Sequence, residues 1–224
     1  ALTAAVAIYA ALELRPLYAD AVYYLQRILE FEDFMLAAPA RRVVEWIRQT
    51  PVIVAARAGV TDLHALALVL SLSFALAPIA ITALSWAVLP RGRKWFFVFP
   101  MLHFFAGTLA GIFSAQQEGA TAAAVFWVLF YFLLFRTTGP RSIDLAIALA
   151  LPTVVLHEAM LFLGPVLALG AILRARQQRE RGDRTALALL AAWFMIAAAV
   201  QIDFIANPRH VGHGAGFLRD LLNG

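Results

Sequence analysis

Apolar residues run along this chain in long blocks, and polar residues are mostly confined to the gaps between them. The blocks cover about residues 1–12, 64–89, 95–114, 120–135, 143–156, 159–173 and 185–204. A helix needs about 20 apolar residues to cross a hydrocarbon core about 30 Å thick. The pattern therefore predicts an all-α, polytopic transmembrane helix bundle with about seven membrane-embedded helices in one domain over residues 1–224. The first block is too short to span alone, and no basic n-region precedes it. It is expected to be the end of a truncated helix, with the sequence a fragment of a longer chain. The fifth block is also short, about 22 Å by helical rise, and contains Pro152. With the sixth it forms either a hairpin that stops within the outer leaflet or a tight turn between two ordinary helices, at His157-Glu158.

Residues 13–62 follow a different rule. Ala21, Tyr24, Leu25, Ile28 and Leu29 recur at helical spacing, with Asp20, Arg27 and Glu30 on other faces. Ala40, Val43, Val44 and Ile47 repeat the pattern, with Arg41, Arg42, Glu45 and Arg48 opposite. Such segments are expected to lie in the membrane interface, apolar face down and charges toward water. Pro39 should start the second helix and Pro51 should kink or end it.

Composition strengthens the membrane assignment. The chain is 62% hydrophobic and 14% charged, against about 45–50% and 25% in soluble domains. The net charge of +4 does not point to nucleic acid, because the basic residues collect in short gaps. Arg91, Arg93 and Lys94 follow one block, Arg136 and Arg141 another, and Arg174, Arg176, Arg179, Arg181 and Arg184 a third. This is the distribution expected of cytoplasmic loops. Residues 13–62, the turn at 116–118, the His157-Glu158 turn and the tail from Asn207 should then face outward, with the protein in a bacterial inner membrane. Cysteine is absent, which excludes disulfides and thiolate chemistry.

Ionisable groups at or in a bilayer are costly and draw attention as functional candidates. Glu13, Asp20, Glu118, His157, Glu158 and Asp203 fall at the expected outward ends of blocks, and Arg209, His210 and His213 follow in the tail. For any one of them, solvation at a helix end is the competing explanation. His210 and His213, with Glu158 or Asp203, could ligate a metal, but no His-Glu-x-x-His motif is present and no metal site is assigned. His64, His103 and the runs of Phe read as packing or interfacial residues.

The stretch Arg15-Pro16-Leu17-Tyr18-Ala19-Asp20 places an acid just after the first apolar block and at the start of an amphipathic helix. In this stretch and in its expected topology the chain resembles the GT-C superfamily of membrane glycosyltransferases. Ala21 stands where many members carry a second acid. The resemblance implies transfer of a sugar from a polyprenyl-phosphate donor to an acceptor at the extracytoplasmic face, with Asp20 as general base. Glu13, Arg15, Glu118, His157, Glu158, Arg209 and His210 are the candidate substrate-binding residues. Expected partners are membrane lipids and the lipid-linked sugar; no cofactor is named by the sequence, and no nucleic-acid partner is expected. The rival reading is a non-catalytic integral membrane subunit that packs against protein partners in a larger assembly. A third is a transporter, suggested by the short hairpin.

Overall fold

A computed structural model describes residues 2–17, 20–36, 38–108, 118–137 and 139–206. Every regular element within them is helical. The α-helices are α1 (Leu2–Leu12), α2 (Asp20–Phe31), α3 (Arg42–Arg57), α4 (Leu63–Val88), α5 (Val98–His103), α6 (Glu118–Phe135), α7 (Pro140–Ala150), α8 (Met160–Gln177) and α9 (Arg181–Ala206).

Among the described residues four helices, α4, α6, α8 and α9, are long and apolar enough to cross a membrane. The expected count of about seven is not supported, and the reason is local. The block at 95–114 is not one helix: a 3-10 turn over Arg91–Phe97 leads into the six residues of α5, and a π turn over Phe104–Thr108 follows. Pro100 lies inside α5, where it removes a backbone donor. The block at 143–156 is α7 up to Ala150 and then a 3-10 turn over Leu151–Val155 containing Pro152. Proline does not always break a helix here, since Pro51, Pro78 and Pro165 lie inside α3, α4 and α8.

The chain divides into two compact units. The first comprises Ala1–Leu36, Val44–Ala87 and Arg93–Val125, and the second Ala37–Val43, Val88–Gly92 and Phe126–Gly224.

In the first unit, Ala21, Leu25 and Ile28 of α2 pack with Val52 and Ile53 of α3 and with Leu66, Leu70 and Phe74 of α4. The apolar stripe of α2, expected to lie on lipid, is thus buried in protein. The reading of α3 also needs correction. Glu45 and Arg48, expected to face water, are 1% and 2% exposed, while Trp46 is 45% exposed. The inward face of α3 is Val44, Glu45, Arg48, Gln49, Val52 and Ile53, so it carries two charged groups into the core. A second cluster joins Ala7, Ala10 and Ala11 of α1 to Ala75 and Phe104. Small side chains let the backbones approach, and the Ser71 hydroxyl donates to the Ala11 carbonyl at 3.0 Å.

In the second unit, α8 packs closely against α9. Gly164 makes the approach possible: a Cβ there would lie 2.7 Å from the Phe194 carbonyl oxygen and 3.0 Å from the Ala198 Cβ. Helices in lipid gain little from hydrophobic exclusion and depend on such close packing. Gly164→Ala is expected to destabilise the unit by about 1–3 kcal/mol through overpacking. At Gly170 a Cβ would sit at an ordinary 3.5 Å from Phe130. Gly170→Ala should therefore be neutral or stabilising by up to about 1 kcal/mol through helix propensity. Denaturation of both variants in detergent checks the contrast, and equal losses would contradict it.

Polar groups in this unit tie off helix ends. The Trp193 indole N–H donates to the Ala150 carbonyl and the Gln201 amide to the Val154 carbonyl, both at 2.8 Å. These carbonyls lie where α7 gives way to the 3-10 turn, and backbone groups at membrane depth need internal partners. Arg174 Nε donates to the Thr137 carbonyl at 3.0 Å, just beyond the end of α6, and Arg136 Nε to the carbonyl of Val88 at 2.6 Å, the last residue of α4. Several basic residues expected to be loop charges are thus positioned at helix C-termini, where positive charge is favoured.

Candidate functional site

α1 ends in a tight reversal. The Glu13 N–H donates to the Tyr9 carbonyl at 3.1 Å and the Leu14 N–H to the Ala11 carbonyl at 3.0 Å. Leu14 adopts φ +52°, a left-handed conformation that suits the end of a helix but disfavours a side chain bearing a Cβ. The reversal sets Glu13 and Arg15 on one wall of a cavity of about 950 Å³. Val22, Leu25, Gln26 and Leu29 of α2 line it as well, and so do Leu63, His64 and Ala67 of α4. Its rim carries the exposed Glu13, Arg15, Gln26 and His64, and its wall is aliphatic. A concave apolar wall with a few polar groups at one place is the usual form of a small-molecule site. Asp20 is the first residue of α2, the helix that supplies one side of this cavity.

The same unit holds a buried polar cluster. The Tyr24 hydroxyl lies 3.1 Å from a Glu118 carboxyl oxygen and 3.4 Å from one of Glu45. Arg48, one turn beyond Glu45 on α3, stacks its guanidinium 3.9 Å from the centre of the Phe74 ring. Arg48 Nε and Nη1 are buried without a hydrogen-bond partner. Burial pulls the Arg48 pKa below the ordinary arginine value to about 10, with Glu118, Tyr24 and Glu45 opposing the shift. The side chain therefore remains a cation at neutral pH, and its desolvation is offset by the neighbouring acids and the Phe74 ring. Gln49 belongs to the same face and grips the main chain of Met35 at both its N–H and its carbonyl, each at 2.8 Å.

A separate constellation lies in the second unit. Arg41 Nε donates to both carboxylate oxygens of Glu158, at 2.8 and 2.9 Å. His157 Nδ1 accepts the Ala159 N–H at 3.0 Å. That role requires an unprotonated Nδ1, so its 3.4 Å approach to Glu158 is not a donated hydrogen bond while it holds.

The sequence candidates thus separate. Glu13 and Arg15 meet at the cavity, Glu118 joins the buried cluster, and His157 and Glu158 share a turn whose Glu158 pairs with Arg41. Asp203 is exposed on α9. Arg209, His210 and His213 lie outside the described residues. Among the described residues no group of three or more His, Asp or Glu is placed to hold a metal ion. Sequence reasoning missed Tyr24, Glu45 and Arg48 as site residues. Their signal was the i, i+3, i+4 spacing of Glu45, Arg48 and Gln49, which puts a polar stripe on one helix face. No protein-family model, curated protein or solved structure matches this chain.

Proposed function

We propose that the chain transfers a sugar from a polyprenyl-phosphate donor to an acceptor at the extracytoplasmic face of a bacterial inner membrane. The observation that carries this reading is the cavity of about 950 Å³, with Arg15 and His64 at its rim and an aliphatic wall below them. A prenyl chain suits the aliphatic wall, and a phosphate suits the Arg15 guanidinium at the rim. In the reaction Asp20 takes the proton of the acceptor hydroxyl, and that oxygen attacks the anomeric carbon. The anomeric carbon–oxygen bond to phosphate breaks, and the polyprenyl phosphate leaves with the electron pair, balanced by Arg15.

The test is binding of a polyprenyl-phosphate analogue to protein in micelles. Arg15→Ala should weaken binding about tenfold or more, the scale of one charge-assisted hydrogen bond. Val22→Trp, which puts a large ring on an exposed part of the aliphatic wall, should abolish it. Unchanged binding in both variants would remove the groove from the account.

The chain has no cysteine, and added Cβ atoms at Gly92, Gly139 and Gly182 meet nothing within 4 Å. Cysteine at Gly139 and at Gly182 should label from one side only, the cytoplasmic side, because each sits in a basic gap. The rise of α7 and its 3-10 extension together, about 26 Å, is enough to return the chain toward the far face before α8. Labelling of positions 139 and 182 from opposite sides would refute this orientation.

A further inference from the structure

A second cavity, of about 510 Å³, adjoins the first in the same unit, and Leu29 and Leu63 line both. It lies where three helix ends meet: the C-terminal ends of α2 and α3 and the start of α4. Ile28, Ile53 and Leu66 give it an apolar floor, while Glu32, Arg57 and Thr61 line it with polar groups.

Arg57 and Glu32 carry opposite charges beside the same space, yet their side chains form no ion pair. Arg57 instead donates from Nη2 to the main-chain carbonyl of Glu32 at 3.1 Å. Glu32 itself holds φ +52° directly after Phe31, the last residue of α2, a left-handed conformation common where a helix ends. The end of α2 thus sets the Glu32 carboxylate beside the cavity without an ion pair to the nearby guanidinium.

We propose that this cavity binds the head group of a zwitterionic phospholipid carrying a primary ammonium, a phosphoethanolamine lipid. Arg57 takes the phosphate, Glu32 takes the ammonium, and the first part of the acyl chains rests on Ile28, Ile53 and Leu66. A guanidinium suits phosphate oxygens, and a carboxylate accepts hydrogen bonds from an ammonium. The position fits a lipid better than a soluble zwitterion. α4 is one of the helices able to cross a membrane and begins at Leu63, so the cavity lies at the level of its membrane–water boundary. Leu63 is also 62% exposed at the rim, where acyl chains would cover it.

This site does not depend on the sugar-transfer reading, and its residues are not those of the Arg15 groove test. Lipid retention measured by native mass spectrometry tests it, with protein released from micelles containing equal amounts of phosphatidylethanolamine, phosphatidylcholine and phosphatidylglycerol. Wild type should retain the ethanolamine lipid about tenfold over each of the others. Glu32→Gln should erase the preference over phosphatidylcholine, whose quaternary ammonium donates no hydrogen bond. Arg57→Lys should keep retention and Arg57→Ala should lose it. Glu32→Gln replaces an exposed side chain that makes no internal bond, so it decides the matter even if Arg57→Ala disturbs folding. Equal retention of the three lipids overturns the proposal. So does phosphatidylglycerol preference unaffected by Glu32→Gln, or displacement of the lipid by soluble phosphoethanolamine at matched concentration.

Discussion

Asp20→Asn is expected to leave the protein folded and to lower sugar transfer by about 10²–10⁴-fold, the range supplied by a positioned general base. The substitution separates two roles. Asp20 opens α2, and aspartate and asparagine are equally favoured at helix starts. If Asp20 only supports the helix, asparagine should preserve both stability and turnover. If it removes the acceptor's proton, the amide cannot replace it, and the rate falls with helix content unchanged. Donor binding should be nearly unaffected, because the proposed phosphate contacts come from Arg15 and His64. Transfer should therefore lose kcat with little change in the KM for donor. Turnover equal to wild type at matched expression would remove Asp20 from the mechanism.

The largest stability effect is expected at Arg48. Its side chain is 2% exposed and lies beside Glu45, Glu118 and Tyr24 as a cation. Arg48→Met keeps much of the volume but leaves the two acids in the core without their counter-charge. Removing one member of a buried charge group costs about 3–5 kcal/mol. In an Glu45→Gln, Glu118→Gln background the same replacement should cost much less, because no net negative charge is then stranded. The difference between the two backgrounds is the coupling energy. Tryptophan-fluorescence denaturation in micelles measures it. An equal cost in both backgrounds would mean that Arg48 acts only by packing on Phe74.

These clusters show what local pattern can and cannot reveal. The helical character of α2 and α3 was legible in their apolar spacing, and so was the turn at His157-Glu158 between two apolar segments. The direction in which α3 faces was not. Charged residues default to water in a local reading, and that placed Glu45 and Arg48 outside. Their burial depends on Tyr24, 21 residues from Glu45 along the chain and 94 from Glu118. Glu158 likewise finds its cation at Arg41, 117 residues away. The expected number of crossings is not supported among the described residues for a different reason. Apolar content alone does not separate a continuous α-helix from the 3-10 and π turns around Phe97 and Phe104 or beyond Ala150. Within the candidate site, Glu13 and Arg15 were legible as charges at a helix end, but the cavity beside them requires α2 and α4 to meet.

The measurement that bears most directly on the proposed function uses the wild-type chain alone. Purified protein is placed in liposomes with a polyprenyl-phosphate sugar labelled in the sugar and an acceptor mixture drawn from bacterial envelope glycans and lipids. Label is expected to move to an acceptor while free polyprenyl phosphate accumulates in equal amount, and Asp20→Asn protein is expected to do neither. Intact donor after incubation with folded wild-type protein that binds it would contradict the account and favour a subunit that packs against partners without catalysing transfer.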